Sequence, residues 1–266
     1  MSTVPQPSRS ASSPERRQPG PVTPRVTLAV AGRVLTQLRR DRRTAAMLLV
    51  LPCALITLLW WMFQDLPGDL FGRFGPALLA MFPFIVMFLV TSVTTLRERS
   101  SGTLERLLAM PMGKFDFLGG YAVAFGVVAA VQAVLAVTLS VGVLGLDVSG
   151  PVWLLGVVAV ADAILGTALG LLVSAFARTE FQAVQFMPLF VIPQILLCGL
   201  FIPRDQMPPF LHAVSNVLPL SYATDAMQTL VRTTATGDVW RDLGVVAAFA
   251  VAALGLGAAT LRRRTP

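Results

Sequence analysis

The chain alternates long apolar runs with short polar breaks. Six runs are long enough to cross a bilayer: 45–63, 76–96, 117–144, 152–177, 184–202 and 243–261. At about 1.5 Å of rise per residue, some 20 residues span the roughly 30 Å hydrocarbon layer. The run 117–144 exceeds that need, which predicts a tilted helix. Pro52, Pro83, Pro188 and Pro193 lie inside the runs. In lipid they are tolerated because neighbouring groups re-satisfy the freed backbone. The pattern predicts an all-α integral membrane protein with six transmembrane helices.

Two shorter periodic segments lie outside the runs. Within 27–44, Leu28, Ala31, Val34, Leu35 and Leu38 share one helical face, and Arg33, Gln37 and Arg40 share the other. This predicts an amphipathic helix in the headgroup layer with its arginines on lipid phosphates. The alternative is a plain juxtamembrane stop of positive charge. Between the fifth and sixth runs, 203–242 is too long for a turn and too apolar for a solvated loop. It predicts two short external helices. The first starts at Pro208–Pro209 and carries Leu211, Val214 and Leu218. Pro219 ends it. Ser221 caps the second, which carries Ala223, Met227, Leu230 and Val231 on one face. Both are too short to span, so they dip into the outer leaflet, cap a cavity, or form a lid with no transport role.

Composition supports the membrane reading: 55% of the 266 residues are hydrophobic and 13% charged, against about 25% charged in soluble domains. The net charge of +7 comes from 20 arginines and one lysine, Lys114. Arginines beside apolar runs are topology signals, and no nucleic-acid partner is expected. With the N-terminus inside, 17 basic residues fall on the inner side and 4 (Arg73, Arg204, Arg232, Arg241) on the outer. Both termini are therefore expected in the cytoplasm. Trp60, Trp61, Trp153 and Trp240 all fall at the outer boundary, where an amphipathic ring suits the headgroups. The arginine bias, with abundant Ala, Val, Gly and Pro, suggests a high-GC bacterial genome and so the bacterial cytoplasmic membrane. Residues 1–26 read as a disordered cytoplasmic tail without a secretory core, and 262–266 as a short cytoplasmic tail. Cys53, Cys198 and the single His212 are too few for a zinc or heme site.

Between the second and third runs lies a charged island, "RERSSGTLERLLAMPMGKFD" at 97–116. Ser100, Ser101, Gly102 and Thr103 make a flexible start. A short helix follows, with Leu104, Leu107 and Leu108 on one face, and Pro111 stops it. Such a helix either offers a knob to a soluble partner's groove or lies back on its own bundle.

The island, extended to "RERSSGTLERLLAMPMGKFDFLGGY", is similar to the cytoplasmic loop of ABC-2 type transporter permeases. "LLCGLFIPRDQMPPFLHAVSNVLPLSYATDAM" resembles the signature after the fifth span of that family. The flavour is that of daunorubicin-resistance-type permeases, and the likeness covers roughly 27–261. It implies a transmembrane domain with a connecting helix at 27–44. It implies an ATPase-coupling helix at Gly102, Thr103, Leu104, Glu105, Arg106, Leu107 and Leu108, and external helices containing Met207, Pro208, Pro209, Pro219 and Tyr222. Two serines precede Gly102 where the family often runs directly into Gly-Thr. The implied function is the permease subunit of an exporter of an amphipathic small molecule such as a drug or antibiotic. Export of a lipid or envelope glycoconjugate is the alternative, and a non-transporting anchor for a soluble partner a remote one. The implied partners are a cytosolic ABC ATPase, a second copy or sister permease, membrane lipids and a hydrophobic small molecule.

The chain carries no G-x-x-x-x-G-K-[ST]: Gly113–Lys114 is followed by Phe115 and preceded at the required glycine position by Leu108. ATP and Mg²⁺ are therefore expected on the partner, with no cofactor, metal or catalytic residue in this chain. One histidine excludes H-E-x-x-H, and no G-x-S-x-G occurs. Asp162 sits near the middle of the fourth run, where an ionisable group costs about 2.5–3.5 kcal/mol on insertion scales. It could hold a cationic substrate or a proton, or be a neutral acid bonded to a neighbouring span. Phe186, Phe190, Leu197 and Phe201 form a stripe on the fifth run that faces lipid, packs, or lines the substrate path. Gly166-x-x-x-Gly170 permits close helix approach, within one chain or between two.

Overall fold

The computed structural model describes residues 23–100, 114–177 and 179–260. These form nine α-helices and one 3₁₀ turn, with no strand among the described residues. The helices are α1 (Pro24–Arg40), α2 (Arg42–Phe63), α3 (Leu70–Ser100), α4 (Lys114–Gly142), α5 (Val152–Val173), α6 (Glu180–Leu197), α7 (Pro209–Ser215), α8 (Pro219–Arg232) and α9 (Gly237–Thr260), with the turn at Arg204–Gln206. α2, α3, α4, α5, α6 and α9 are long and apolar enough to cross a membrane. The six expected spans are all present.

Their ends differ from the apolar runs because capping, not hydropathy, sets where a helix begins. The periodic segment 27–44 is not one helix. It breaks at Asp41, whose carboxylate accepts from the Thr44 amide at 3.2 Å and hydroxyl at 2.6 Å. That starts α2 at Arg42, ahead of the first apolar residue. The same hydrogen bonds hold the Asp41 carboxyl below its usual range. Asp69 likewise accepts from the Gly72 amide at 2.7 Å, so α3 begins well before 76. Thr179 accepts from the Gln182 amide at 3.1 Å and begins α6 at Glu180. α6 ends at Leu197, and Gly199 turns the chain at φ +90°, a conformation that favours glycine. Ser221 does not cap α8. Leu218 takes that position without a side-chain bond, and Pro219 opens the helix. α7 stops at Ser215, so Leu218 is not on it.

The bundle is organised around α5, packed between α3, α4 and α9, with α8 laid across it. The closest approach is the α3–α5 line. A Cβ on Gly166 would stand 2.5 Å from the Phe84 carbonyl oxygen, and one on Gly170 2.5 Å from that of Phe88. The small-residue pair therefore serves contact within the chain. α1 rests its apolar face on α4. Val30, Ala31 and Val34 are buried, and a Cβ on Gly120 would meet Val30 at 2.6 Å. Near the other end, the amides of Ser149 and Gly150 donate to the carbonyls of Val231 and Leu230, at 3.2 and 2.8 Å, tying the α4–α5 loop to α8. The rings of Trp153 and Trp240 lie 6.2 Å apart beside that junction. α2 and α6 are the peripheral spans, with most of their apolar side chains outward.

Gly170→Ala is expected to destabilise the bundle by about 2 kcal/mol, because the added methyl meets backbone that cannot swing away. Gly156→Ala, on the same helix in open space, is expected to cost nothing. Thermal unfolding of both variants in detergent checks the pair.

Candidate functional site

Two polar assemblies close the ends of this apolar bundle. At the end where α1 begins, α3 stops and α4 starts, both roots of the segment 101–113 are tied to α1. On the α3 root, Glu98 accepts from Arg33 at 3.2 Å and from Gln37 at 3.5 Å. Arg33 thus turns one guanidinium nitrogen to a protein carboxylate. On the α4 root, buried Asp116 accepts from the Thr23 amide at 2.8 Å and the Thr27 hydroxyl at 3.1 Å. Thr23 makes no side-chain cap of its own, so Asp116 supplies the acceptor that the first turn of α1 needs. A third link joins α3 to α6: Arg97 donates to both carboxylate oxygens of Glu180, each at 2.9 Å. Gly102, Thr103, Leu104, Glu105, Arg106, Leu107 and Leu108 lie outside the described residues. The frame that would carry their movement does not.

At the opposite end, the 3₁₀ turn, α7 and α8 form a lid stitched to α6. Arg204 pairs with Asp225, donates to Asn216 and lies 5.1 Å over the Tyr222 ring. Tyr222 donates to the Asn216 carbonyl at 2.8 Å. Burial pushes the Asp225 carboxyl up, and the Arg204 guanidinium draws it part of the way back. Ser215 and Ser221 both donate to the Leu197 carbonyl, at 2.8 and 3.4 Å, satisfying the end of α6. Gln194, buried within α6, accepts from the Leu220 amide at 3.2 Å in the first turn of α8. The expected apolar face of α8 is in place, with Ala223, Met227 and Leu230 buried. Met207 and Pro219 are buried, Tyr222 is half-buried, and Pro208 and Pro209 are exposed.

Asp162 and the aromatic stripe do not come together. Asp162 is fully buried inside the bundle, and neither carboxylate oxygen has a hydrogen-bond partner among the described residues. Phe186 is half-buried and meets Phe190 edge-on at 6.4 Å, while Phe190 and Phe201 are exposed on the outside. Sequence reasoning missed Glu98, Asp116, Gln194, Arg204 and Asp225 as site residues. The available signal was a polar or charged residue bordering or interrupting an apolar run, but nothing in one sequence pairs Glu98 with Arg33.

Comparison with known proteins is consistent with this geometry. The ABC-2 type transporter family matches residues 25–231. The chain is 31% identical over 169 residues to the probable multidrug ABC transporter permease YbhR of Escherichia coli (strain K12), covering 63% of this chain and 46% of that one. It is 29% identical over 149 residues to the inner membrane transport permease YhhJ of the same organism, covering 55% and 39%. It is 25% identical over 187 residues to the linearmycin resistance permease protein LnrN of Bacillus subtilis (strain 168), covering 67% and 48%. The chain thus spans less than half the length of these relatives.

Asp116→Ala is expected to free the first turn of α1 at a cost of about 1 kcal/mol. The amides of the 23–27 turn should then exchange with solvent roughly fivefold faster, which hydrogen-exchange mass spectrometry reads directly.

Proposed function

The chain belongs to the ABC-2 type transporter family, and on that premise we propose that it is the permease subunit of an ATP-driven exporter. A separate ATPase binds ATP and Mg²⁺; this chain supplies the membrane path and no catalytic group. The carried substrate is an amphipathic small molecule of the drug or antibiotic class. Relatives named for multidrug transport and for linearmycin resistance support that class. The working unit is two permease chains, identical or sister, with two ATPase subunits in a bacterial cytoplasmic membrane. The arginine asymmetry supports an N-terminus-inside orientation, which puts 101–113 on the ATPase side.

One observation carries this reading: α1 is bonded to both roots of the 101–113 segment, through Glu98 before it and Asp116 after it. A push on that segment moves α1, α3 and α4 as a unit rather than flexing a loop. Arg97–Glu180 passes the displacement to α6, and Gln194 with the Leu197 carbonyl passes it on to the lid. α6 suits the part of a lever. It is little buried and contains Pro188 and Pro193, which interrupt its hydrogen-bond ladder. In this scheme the exposed Phe190 and Phe201 ride on the moving element and offer apolar surface to the substrate.

Replacing Leu104 and Leu107 together by Asp is expected to lower ATP-dependent export by roughly tenfold or more, since a docking contact worth 1.4 kcal/mol is tenfold in binding. Membrane insertion should be unchanged. The unaltered chain, solubilised from its own membranes, is expected to bring down an ATPase bearing G-x-x-x-x-G-K-[ST], and the double variant to lose it. Full export and full ATPase recovery in the variant would refute the docking role.

A further inference from the structure

Asp162, Gly166 and Gly170 follow one another at four-residue steps on one face of α5. That face meets mostly backbone: α3 presents the Phe84 carbonyl to Gly166, and the Phe88 carbonyl with the Thr91 Cβ beside it to Gly170. The two helices run in the same direction along this line. One turn further, the register places Ala80 opposite Asp162, and both residues are fully buried. A carboxylate can only accept hydrogen bonds. No donor among the described residues reaches either of its oxygens.

No counter-charge stands at that level. On α3 the charges are Arg73 toward one end and Arg97, Glu98 and Arg99 at the other; on α4, Lys114, Asp116 and Tyr121 lie near its start. On α8, Asp225 is taken by Arg204, Tyr222 faces Asn216, and Arg232 ends the helix. On α9, Asp238, Arg241 and Asp242 form a cluster of their own. Gly257 lies beside Leu172, which sets Asp242 about five residues, roughly 7.5 Å of rise, from the level of Asp162. It already accepts from Arg241 at 3.1 Å and would repel a second carboxylate.

The α3 backbone on this side carries one carbonyl without its helical partner. Pro83 has no N–H, so the Leu79 carbonyl, one residue from Ala80, loses its helical donor. We propose that Asp162 is a proton-binding site: it takes one proton from the aqueous phase and donates the resulting O–H to the α3 backbone at Leu79–Ala80. Protonation turns a group with nothing to accept into one with something to give, and satisfies a carbonyl that the proline orphaned. The site is internal to one chain, apart from the exposed α6 surface, and the proposal does not rest on the transport reading. It assigns Asp162 to proton binding and not to a cationic substrate.

The test is infrared spectroscopy of the full chain in lipid vesicles near neutral pH, Asp162→Asn subtracted from the unaltered protein. The expected difference is the carbonyl stretch of a protonated carboxylic acid, sensitive to deuterium exchange. A carboxylate band in its place overturns the proposal. Pro83→Ala, which returns a donor to Leu79, is expected to shift that band upward; an unmoved band overturns the assigned acceptor. Adding tetraphenylphosphonium is expected to leave the band intact, and its replacement by a carboxylate band would assign the site to cations instead. Asp162→Asn, whose amide still donates, is expected to keep the thermal midpoint, and Asp162→Ala to lower it by several degrees. Equal loss in both would remove the donor role.

Discussion

Apolar surface gives helices no reason to meet inside hydrocarbon, because lipid tails are as apolar as leucine. Association must come from close packing and from polar groups that find one another. In this chain the packing is concentrated where α3 and α5 touch almost backbone to backbone, at Gly166 and Gly170. The contact brings two helix axes close enough for carbonyl oxygens to meet the opposite backbone. It thereby fixes the level of every other element: α4 and α9 flank α5, α1 lies on α4, and α8 lies across the top. It also sets the register that brings Asp162 opposite Ala80, where the proposed protonation would become part of the packing.

The polar groups are partitioned by end. Carboxylates at one end hold the roots of a charged segment to α1. At the other, an arginine ties the lid to itself, and two serines with a glutamine hold it to α6. Between them lies an interior with few polar side chains and a peripheral α6 fixed mainly near its extremities. Such a body has stiff parts and one compliant part. In a transport cycle displacement would appear where resistance is least, at the prolines of α6, rather than in the α3–α5 line.

Hydropathy alone was enough for the number of spans and for which face of α8 is buried, since both depend on the type of residue at each position. Helix starts were less visible, because Asp41, Asp69 and Thr179 act through single hydrogen bonds that a hydropathy window averages away. Proline misled at Pro219, read as a stop when it also opens the next helix. The root clamps were not legible. Arg33 and Glu98 are 65 positions apart and Thr23 and Asp116 are 93 apart, so no local period connects them. Arg33 looked like a lipid-facing residue because amphipathicity tells which face is polar and not what stands opposite. The expected coupling helix, the sharpest feature of the sequence, falls on residues the structure does not describe.

The two turns on the lid side differ in what natural variation can do with them. The turn between α4 and α5 is held by backbone amides that donate to the end of α8, so an added residue there would pull the lid out of register. The turn between α2 and α3, at 64–69, is exposed throughout, and its backbone bonds are local. Loop-closure entropy grows only slowly with length, so a whole folded module could be spliced into that turn with the bundle beneath it unchanged. Lineages that enlarge this protein are expected to grow outward from that one point.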